Sequence, residues 1–353
     1  MAQLDHVALS ELALRHLAAQ FRHFAEQECD SSPLYRRLSL GIAEDPQLLA
    51  LAAQAQNTPI PNLLFAAVHF LLLAGATYPL TEFFFHTSER DPYPVFRDFC
   101  FQRRGVIEKI IRTRLVQTNE VRRCALLLPA FLQATREPLA LIEIGASAGL
   151  NLWWDQYGYD YGETMQWGDE DAPLMLRSTL RGDIRPLLND HTIRIVSRVG
   201  IDLNPLDVHN LEDVLWLSAL IWPGVLYSAR AEQLEKAVAV AQRERRIPAT
   251  LIKGDALERL PEALTAVPNG VTACVFHSFT LNQFPPMARQ HFWALLADYG
   301  KMRPIVEISL EWLGGDSPLL GMSAFAGGAR IETVLAACHP HGEWIEWKKA
   351  KPR

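Results

Sequence analysis

The stretch Leu141-Ile-Glu-Ile-Gly-Ala-Ser-Ala-Gly-Leu-Asn151 decides how the rest of this 353-residue sequence is read. A short apolar run, 139–144, leads into a turn of small residues and then into a helical pattern. That order predicts a buried strand, a tight turn and a helix. Gly145 and Gly149 let the backbone approach a ligand closely. A helix starting behind the turn would face that ligand with unpaired N–H groups.

Working downstream, short β-branched runs at 192–199, 250–252, 271–276 and 304–310 alternate with helical patterns at 212–221, 226–245 and 286–299. Such alternation predicts a parallel sheet covered on both faces. The tail changes rhythm. Residues 330–337 and 343–347, joined by His339-Pro-His-Gly342, read as an antiparallel hairpin at one edge. Upstream the pattern is helical almost throughout. Ser32-Pro33 and Asp45-Pro46 are helix starts, with a capping residue followed by Pro at the first helical position. Thr118 or Asn119 is placed to cap a helix over 120–135. The expected organisation is therefore α/β. A helical N-terminal domain spans 1–136, and a sheet domain spans 137–353 with extra length near 153–190 and 207–245.

Charge divides the same way. Residues 1–136 carry a net +1 and the remainder −7, within a total of −6. An acidic balance of this size does not suggest a nucleic-acid binder. Hydrophobic residues are 49% and charged residues 21%, which excludes whole-chain disorder. The five cysteines are dispersed and form no C-x-x-C pair, which fits reduced thiols. The most apolar stretch, 63–76, is too short for a membrane span and contains His69, so it reads as a buried helix. The N-terminal residues lack the pattern of a signal peptide, so a cytoplasmic location is expected.

Two cofactor classes use a turn like 145–149. The dinucleotide fingerprint G-x-G-x-x-G would need glycines at Ser147 and Leu150. The S-adenosylmethionine pattern, acid-x-G-x-G-x-G, is met by Glu143, Gly145 and Gly149, with Ser147 in place of the middle glycine. Glu143 would repel a pyrophosphate but hold the amino group of a methionine moiety. Asp202, in Val199-Gly-Ile-Asp-Leu-Asn-Pro205, falls where an acid accepts from ribose hydroxyls. Asp255, in Lys253-Gly-Asp-Ala-Leu257, falls where an acid accepts from an adenine amino group, with the Ala256 backbone donating. Each acid alone reads as a helix cap, but three at successive strand ends favour S-adenosylmethionine. The expected cofactor contacts are Glu143, Gly145, Ala146, Ser147, Gly149 and Asn151 around the turn, then Asp202, Leu203, Asp255, Ala256, His277 and Ser278.

The C-terminal half resembles class I S-adenosylmethionine-dependent methyltransferases. The whole chain, from about residue 20 to 347, resembles a bacterial family known as domain of unknown function 2332. The resemblance is carried by Gln117-Thr-Asn-Glu-Val-Arg-Arg123, Ile142-Glu-Ile-Gly-Ala-Ser-Ala-Gly-Leu-Asn-Leu152, Gly200-Ile-Asp-Leu-Asn-Pro-Leu-Asp207, Val275-Phe-His-Ser278 and His339-Pro-His-Gly-Glu-Trp344. It implies a Rossmann-like sheet with a terminal antiparallel hairpin, and no particular reaction.

For chemistry, His277 is a candidate general base because its ordinary pKa lies near neutrality. The plainer reading is that His277 and Ser278 line the adenosyl pocket. Asn119 and Glu120 are candidates to reach over the cleft and touch substrate. Glu307 and Glu311 are further polar contacts. The segment 153–171 mixes Trp153, Trp154, Tyr157, Tyr159, Tyr161 and Trp167 with acids. It reads either as a cover over substrate or as a packed layer. Residues 97–123 hold eight Lys or Arg against three acids, an anionic-substrate or RNA patch or a solvated face. Cys338, His339 and His341 lack a fourth partner for a metal, so none is expected. The expectation is an S-adenosylmethionine-dependent methyltransferase acting on a small or medium-sized molecule. The alternatives are a non-catalytic protein of the same fold and an RNA methyltransferase.

Overall fold

The computed structural model describes residues 11–86, 88–135, 138–162, 165–182, 188, 193–243 and 245–348. Two compact units emerge: 1–118 with 211–232, and 119–210 with 233–353. The boundary thus differs from residue 136, and the first unit takes back a segment from the expected second domain.

The first unit is helical. It contains α1 (Glu11–Gln27), α2 (Pro33–Ala43), α3 (Pro46–Ala52), α4 (Ile60–Leu73), α5 (Thr81–Phe85), α6 (Tyr93–Gln102) and α7 (Arg104–Thr113). The Ser32 side chain accepts from Tyr35 N, and that of Asp45 from Gln47 N and Leu48 N, so both expected caps form. α4 is the apolar helix. Its Phe65 is fully buried, stacked 4.3 Å from Tyr35 and 5.9 Å from Phe24. A later helix, α9 (Leu211–Ala219), packs on α4. The buried His69 donates from Nδ1 to the Ala219 carbonyl at 3.1 Å, and burial holds its pKa down to about 4. The apolar faces of α4 and α9 are complementary surfaces far apart in sequence, which is why a strictly linear division fails.

The second unit begins with α8 (Cys124–Ala134), preceded by a 3₁₀ turn at Val121–Arg123. This replaces the single helix expected over 120–135. α8 packs on the sheet, so it belongs to that core although it reads as one more helix in a helical region. The nine-stranded sheet has the order β5-β12-β11-β10-β9-β8-β1-β6-β7. Its strands are β1 (Leu139–Ile144), β5 (Thr179–Arg181), β6 (Ile195–Asp202), β7 (Ala249–Lys253), β8 (Thr272–Ser278), β9 (Ile305–Glu311), β10 (Leu319–Ala326), β11 (Ala329–Cys338) and β12 (Trp344–Trp347). The stretch from β7 through β6, β1 and β8 to β9 is parallel. The strand order reverses between β1 and β8, a crevice where open α/β sheets bind ligands.

The central position of β1 explains its sequence. All six of its residues are buried, between β6 on one side and β8 on the other. Around it, Ile142, Ile144, Ile201 and Val275 pack against Leu260 of α11 (Ala256–Thr265) and Leu296 of α12 (Pro286–Tyr299). The expected strand at 192–199 is seen as β6, three residues later; residue 192 itself lies outside the described residues. The segment α10 (Tyr227–Ala241) leads back from the first unit towards β7.

The tail differs from one terminal hairpin. β11 and β12 do pair antiparallel, but β10 lies between β9 and β11, and β5 occupies the edge beside β12. β10 has no β-branched residue, so nothing in Leu-Leu-Gly-Met-Ser-Ala-Phe-Ala marks it. Pairing on both sides makes it a strand. A separate small sheet comprises β2 (Gly158–Asp160), β3 (Gln166–Trp167) and β4 (Met175–Arg177), in the order β3-β2-β4.

Phe65→Ala should lower the unfolding free energy by about 3–5 kcal/mol, the range for deleting a buried aromatic ring. Urea unfolding followed by circular dichroism at 222 nm checks this.

Candidate functional site

The turn after β1 is held entirely from within. Gly145 N and Ala146 N donate to the Ile201 carbonyl, at 2.8 and 3.3 Å. Ser147 N donates to Asp202 Oδ2 at 2.8 Å. Ala148 N and Leu150 N both donate to Asn119 Oδ1, at 3.3 and 3.2 Å, and Gly149 N donates to the Ala146 carbonyl at 2.7 Å. Every N–H from 145 to 150 is therefore used. Beyond the turn the chain forms a kinked 3₁₀ segment, Leu150–Gln156, rather than an α-helix. The open row of N–H donors expected behind the turn is absent, because Asn119 and Asp202 fill it. This also removes the cradle that a pyrophosphate needs.

The two glycines answer to packing. Gly145 has φ 72°, and a Cβ there would lie 2.3 Å from Thr280 Oγ1. Gly149 has φ 68°, and a Cβ would lie 2.9 Å from Leu251. Ser147, in place of a glycine, adopts φ 53°, and Phe279 adopts φ 55°. These are the only non-glycine residues with positive φ among the described residues. They come just after β1 and β8, the strands flanking the reversal. Such conformations cost about 1–3 kcal/mol each and concentrate at functional positions.

The expected cofactor acids take different surroundings. Glu143 is buried on β1; its Oε1 accepts from Asn151 Nδ2 at 2.9 Å, while Oε2 has no hydrogen-bond partner. Asn151 Oδ1 in turn accepts from the Cys124 thiol at 3.3 Å. Burial raises the Glu143 pKa to about 8; the Asn151 bond opposes this and the nearby Asp202 adds to it. Asp202 accepts from Ser147 N through Oδ2 and from Asn204 N through Oδ1, both at 2.8 Å. Asp255 caps α11 through Leu257 N at 2.8 Å, the ordinary role of a lone Asp, and Ala256 is the first residue of that helix. Ala146 is buried and Leu203 is exposed. For S-adenosylmethionine, the fit rests on Glu143: its unused buried oxygen is an acceptor without a donor, which an ammonium group would supply.

His277 is completely buried at the end of β8. Its Nδ1 donates to Glu311 Oε1 at 2.7 Å and its Nε2 to Glu307 Oε1 at 3.2 Å. Burial disfavours the imidazolium, but the two glutamates outweigh burial and lift the pKa to about 9. Burial raises both glutamates; His277 more than compensates and leaves each below its ordinary value. Trp293 Nε1 donates to Glu307 Oε1 at 2.9 Å, and Arg330 reaches Glu307 Oε2 at 3.4 Å. Glu311 also accepts from Thr280 N, Leu281 N and Asn282 N. With both ring nitrogens committed, His277 has no free lone pair to act as a base here. Its place is that of a clamp.

The remaining candidates come together around 119–123. Asn119 binds the turn. Glu120 is buried, with Oε2 3.6 Å from His341 Nδ1. Arg123 donates to the Pro340 carbonyl at 2.9 Å and to Ser278 Oγ at 3.4 Å, and lies 4.1 Å over the Phe279 ring. Segments 117–123, 142–152, 200–207, 275–278 and 339–344 thus meet through named contacts at one end of the sheet. Arg123, Thr280 and His341 were not singled out as site residues. Arg123 and His341 lie in segments that carry the resemblance, whereas Thr280 gave no signal.

The aromatic insertion packs. Trp154 stacks on Phe131 at 4.5 Å, and the Tyr157, Tyr159 and Tyr161 hydroxyls donate to the Leu150, Trp154 and Ala125 carbonyls. Residues 163, 164, 183–187, 189 and 190 of the expected insertion lie outside the described residues. In the basic stretch, Arg97 pairs with Asp45, Arg104 with Glu108, and Arg114 with Glu212 and Asp213. All five cysteines are buried and free. Among the described residues, no group of three or more His, Cys, Asp or Glu is arranged to hold a metal. No described helix is long and apolar enough to cross a membrane.

A mixed α/β protein with its polar side chains gathered where the strand order reverses is the class that fold and site define. The chain belongs to the bacterial family described as "Uncharacterized protein conserved in bacteria (DUF2332)", whose sequence model matches residues 18–347. No curated protein matches it.

The clamp gives stability a pH dependence. The folded pKa of His277 lies above its ordinary 6.5, so its contribution is full below pH 6.5 and lost as pH rises through about 9. Urea unfolding should therefore give a higher free energy at pH 6 than at pH 9. His277→Gln should cost about 3–5 kcal/mol at pH 6, by leaving two buried carboxylates unpaired, and should flatten that dependence.

Proposed function

We propose that the second unit binds S-adenosylmethionine at the carboxyl ends of β1, β6 and β8. In this reading the chain is a methyltransferase for a small or medium-sized molecule. The observation that carries the reading is Glu143. A buried carboxyl with one unused oxygen costs stability, and its place beside a ligand crevice gives that cost a purpose. Glu143 would orient the ammonium of the methionine moiety, Asp202 would accept from the ribose hydroxyls, and Asp255 with the Ala256 N–H would meet the adenine edge. When bound, the cofactor supplies a methyl group activated on a sulfonium. Glu120 and His341, 3.6 Å apart beside the Asn119 that holds the turn, would be the acid–base pair at that end.

A second reading has its own support. The turn is satisfied internally and His277 is locked between two carboxylates, so no free base stands on β8. This favours a protein of the same sheet topology that binds a ligand without turning it over. Transfer of a labelled methyl group from S-adenosylmethionine to extracted small metabolites separates the two. Labelled product supports the enzyme; cofactor binding with no label transferred supports the binder.

Calorimetric titration with S-adenosylmethionine tests the shared premise. Wild type should bind, and Glu143→Gln should weaken binding at least about tenfold, the loss of one charge-assisted contact. Because the raised Glu143 pKa penalises folding as pH rises from 4.5 through about 8, the same substitution should make the ligand-free protein more stable at pH 8. Absence of binding by wild type, or equal binding by Glu143→Gln, overturns the assignment.

A further inference from the structure

A cavity of about 730 Å³ lies beside the 145–149 turn, on the side lined by Ala148 and Leu251, and none of Glu143, Asp202 and Asp255 lines it. Its size falls within the range of small-molecule sites, about 300–1,000 Å³. Part of its lining is apolar, with Ala148, Trp153, Leu206 and Leu251. Another part is charged, with Arg243 and Arg245 just beyond the end of α10 and the single acid Asp207. The two walls are tied together, since Gln242 Nε2 donates to the Val208 carbonyl at 2.6 Å.

Neither arginine makes an ion pair among the described residues, although Asp207 also lines the cavity. Arg198 and Arg245 both stand over the Trp153 indole, at 4.6 and 5.4 Å from the ring centre. Arg198 is neutralised by Asp155 through two bonds of 2.7 Å. Arg245 has only a neutral partner, donating to Gln156 Oε1 at 2.7 Å, and its Nε is buried with no hydrogen-bond partner. Arg243 is exposed and makes no ion pair among the described residues. Burial, then the like charge of Arg243, holds the Arg245 pKa below its ordinary value, although Asp155 opposes this. A guanidinium with an unused buried donor, next to a second cation and an apolar floor, is matched by an anion carried on an apolar body.

We propose that this cavity binds a small organic anion, with a flat apolar body against Trp153 and Leu251 and a carboxylate or phosphate held by Arg245 and Arg243. The anion completes the Arg245 hydrogen bonding, and the apolar body replaces water on the cavity floor. The site borders the same turn through Ala148 but shares none of Glu143, Asp202 and Asp255 with the S-adenosylmethionine reading.

Calorimetric titration of the full chain with 2-naphthoate, 2-naphthyl phosphate, inorganic phosphate and 2-naphthol tests this. At least one naphthyl anion should bind saturably, about tenfold or more tighter than either inorganic phosphate or 2-naphthol. Which of the two binds tighter identifies the anionic group. Arg245→Gln should weaken that binding about tenfold or more, in keeping with the loss of a charged hydrogen bond. Arg243→Gln, at an exposed position, should fold normally and weaken it several-fold, so the outcome does not hinge on how well Arg245→Gln folds. If neither naphthyl anion saturates below about 5 mM, or if Arg243→Gln binds as wild type does, the proposal is overturned.

Discussion

The carboxyl end of the sheet rests on one buried ionic cluster, His277 between Glu307 and Glu311. Placing three ionisable groups in a core is costly unless charge and hydrogen bonding are both balanced. Here they are. The imidazolium donates to one glutamate from each nitrogen, Arg330 and Trp293 serve Glu307, and three backbone N–H groups serve Glu311. The consequence reaches beyond the cluster. By fixing 280–282, Glu311 sets Thr280 where its hydroxyl donates to the Ile144 carbonyl and its side chain stands against Gly145. Gly145 is then required by sterics, whatever ligand the crevice takes.

The turn beyond Gly145 shows how one sequence pattern serves two physical ends. In a phosphate-binding loop, N–H groups stay open for the ligand. Here Asp202 and Asn119 occupy them, so the turn joins β1, β6 and the segment before α8. On β1 beside the turn, the Glu143 carboxyl keeps one oxygen without a hydrogen-bond partner. That reverses the expected emphasis: the acid beside the turn, rather than the turn itself, is the feature the fold leaves incomplete.

Much of the fold was legible because it is local. Apolar β-branched runs marked β1, β6, β7, β8 and β9, and Ser32 and Asp45 capped the helices they precede. β10 was not legible, because its residues are small and unbranched and only its neighbours make it a strand. The membership of α8 and α9 was not legible either, since periodicity shows that a helix has an apolar face but not which core receives it. At the site, the acids at the ends of β1, β6 and β7 were found from spacing. The state of His277 was not, because its ordinary pKa suggests a base and its two carboxylate partners lie 30 and 34 residues away.

By itself, then, the sequence determined an α/β sheet entered through a glycine turn, a helical N-terminal region and a set of acids at strand ends. These arise from hydrophobic period, capping and turn chemistry, which act over a few residues. Only the tertiary structure decided that the turn's donors are spent on Asn119 and Asp202, that His277 is a clamp, and that Glu143 and Arg245 keep unused buried atoms. Whether a buried polar group is satisfied depends on partners brought from distant parts of the chain, and no local pattern records them.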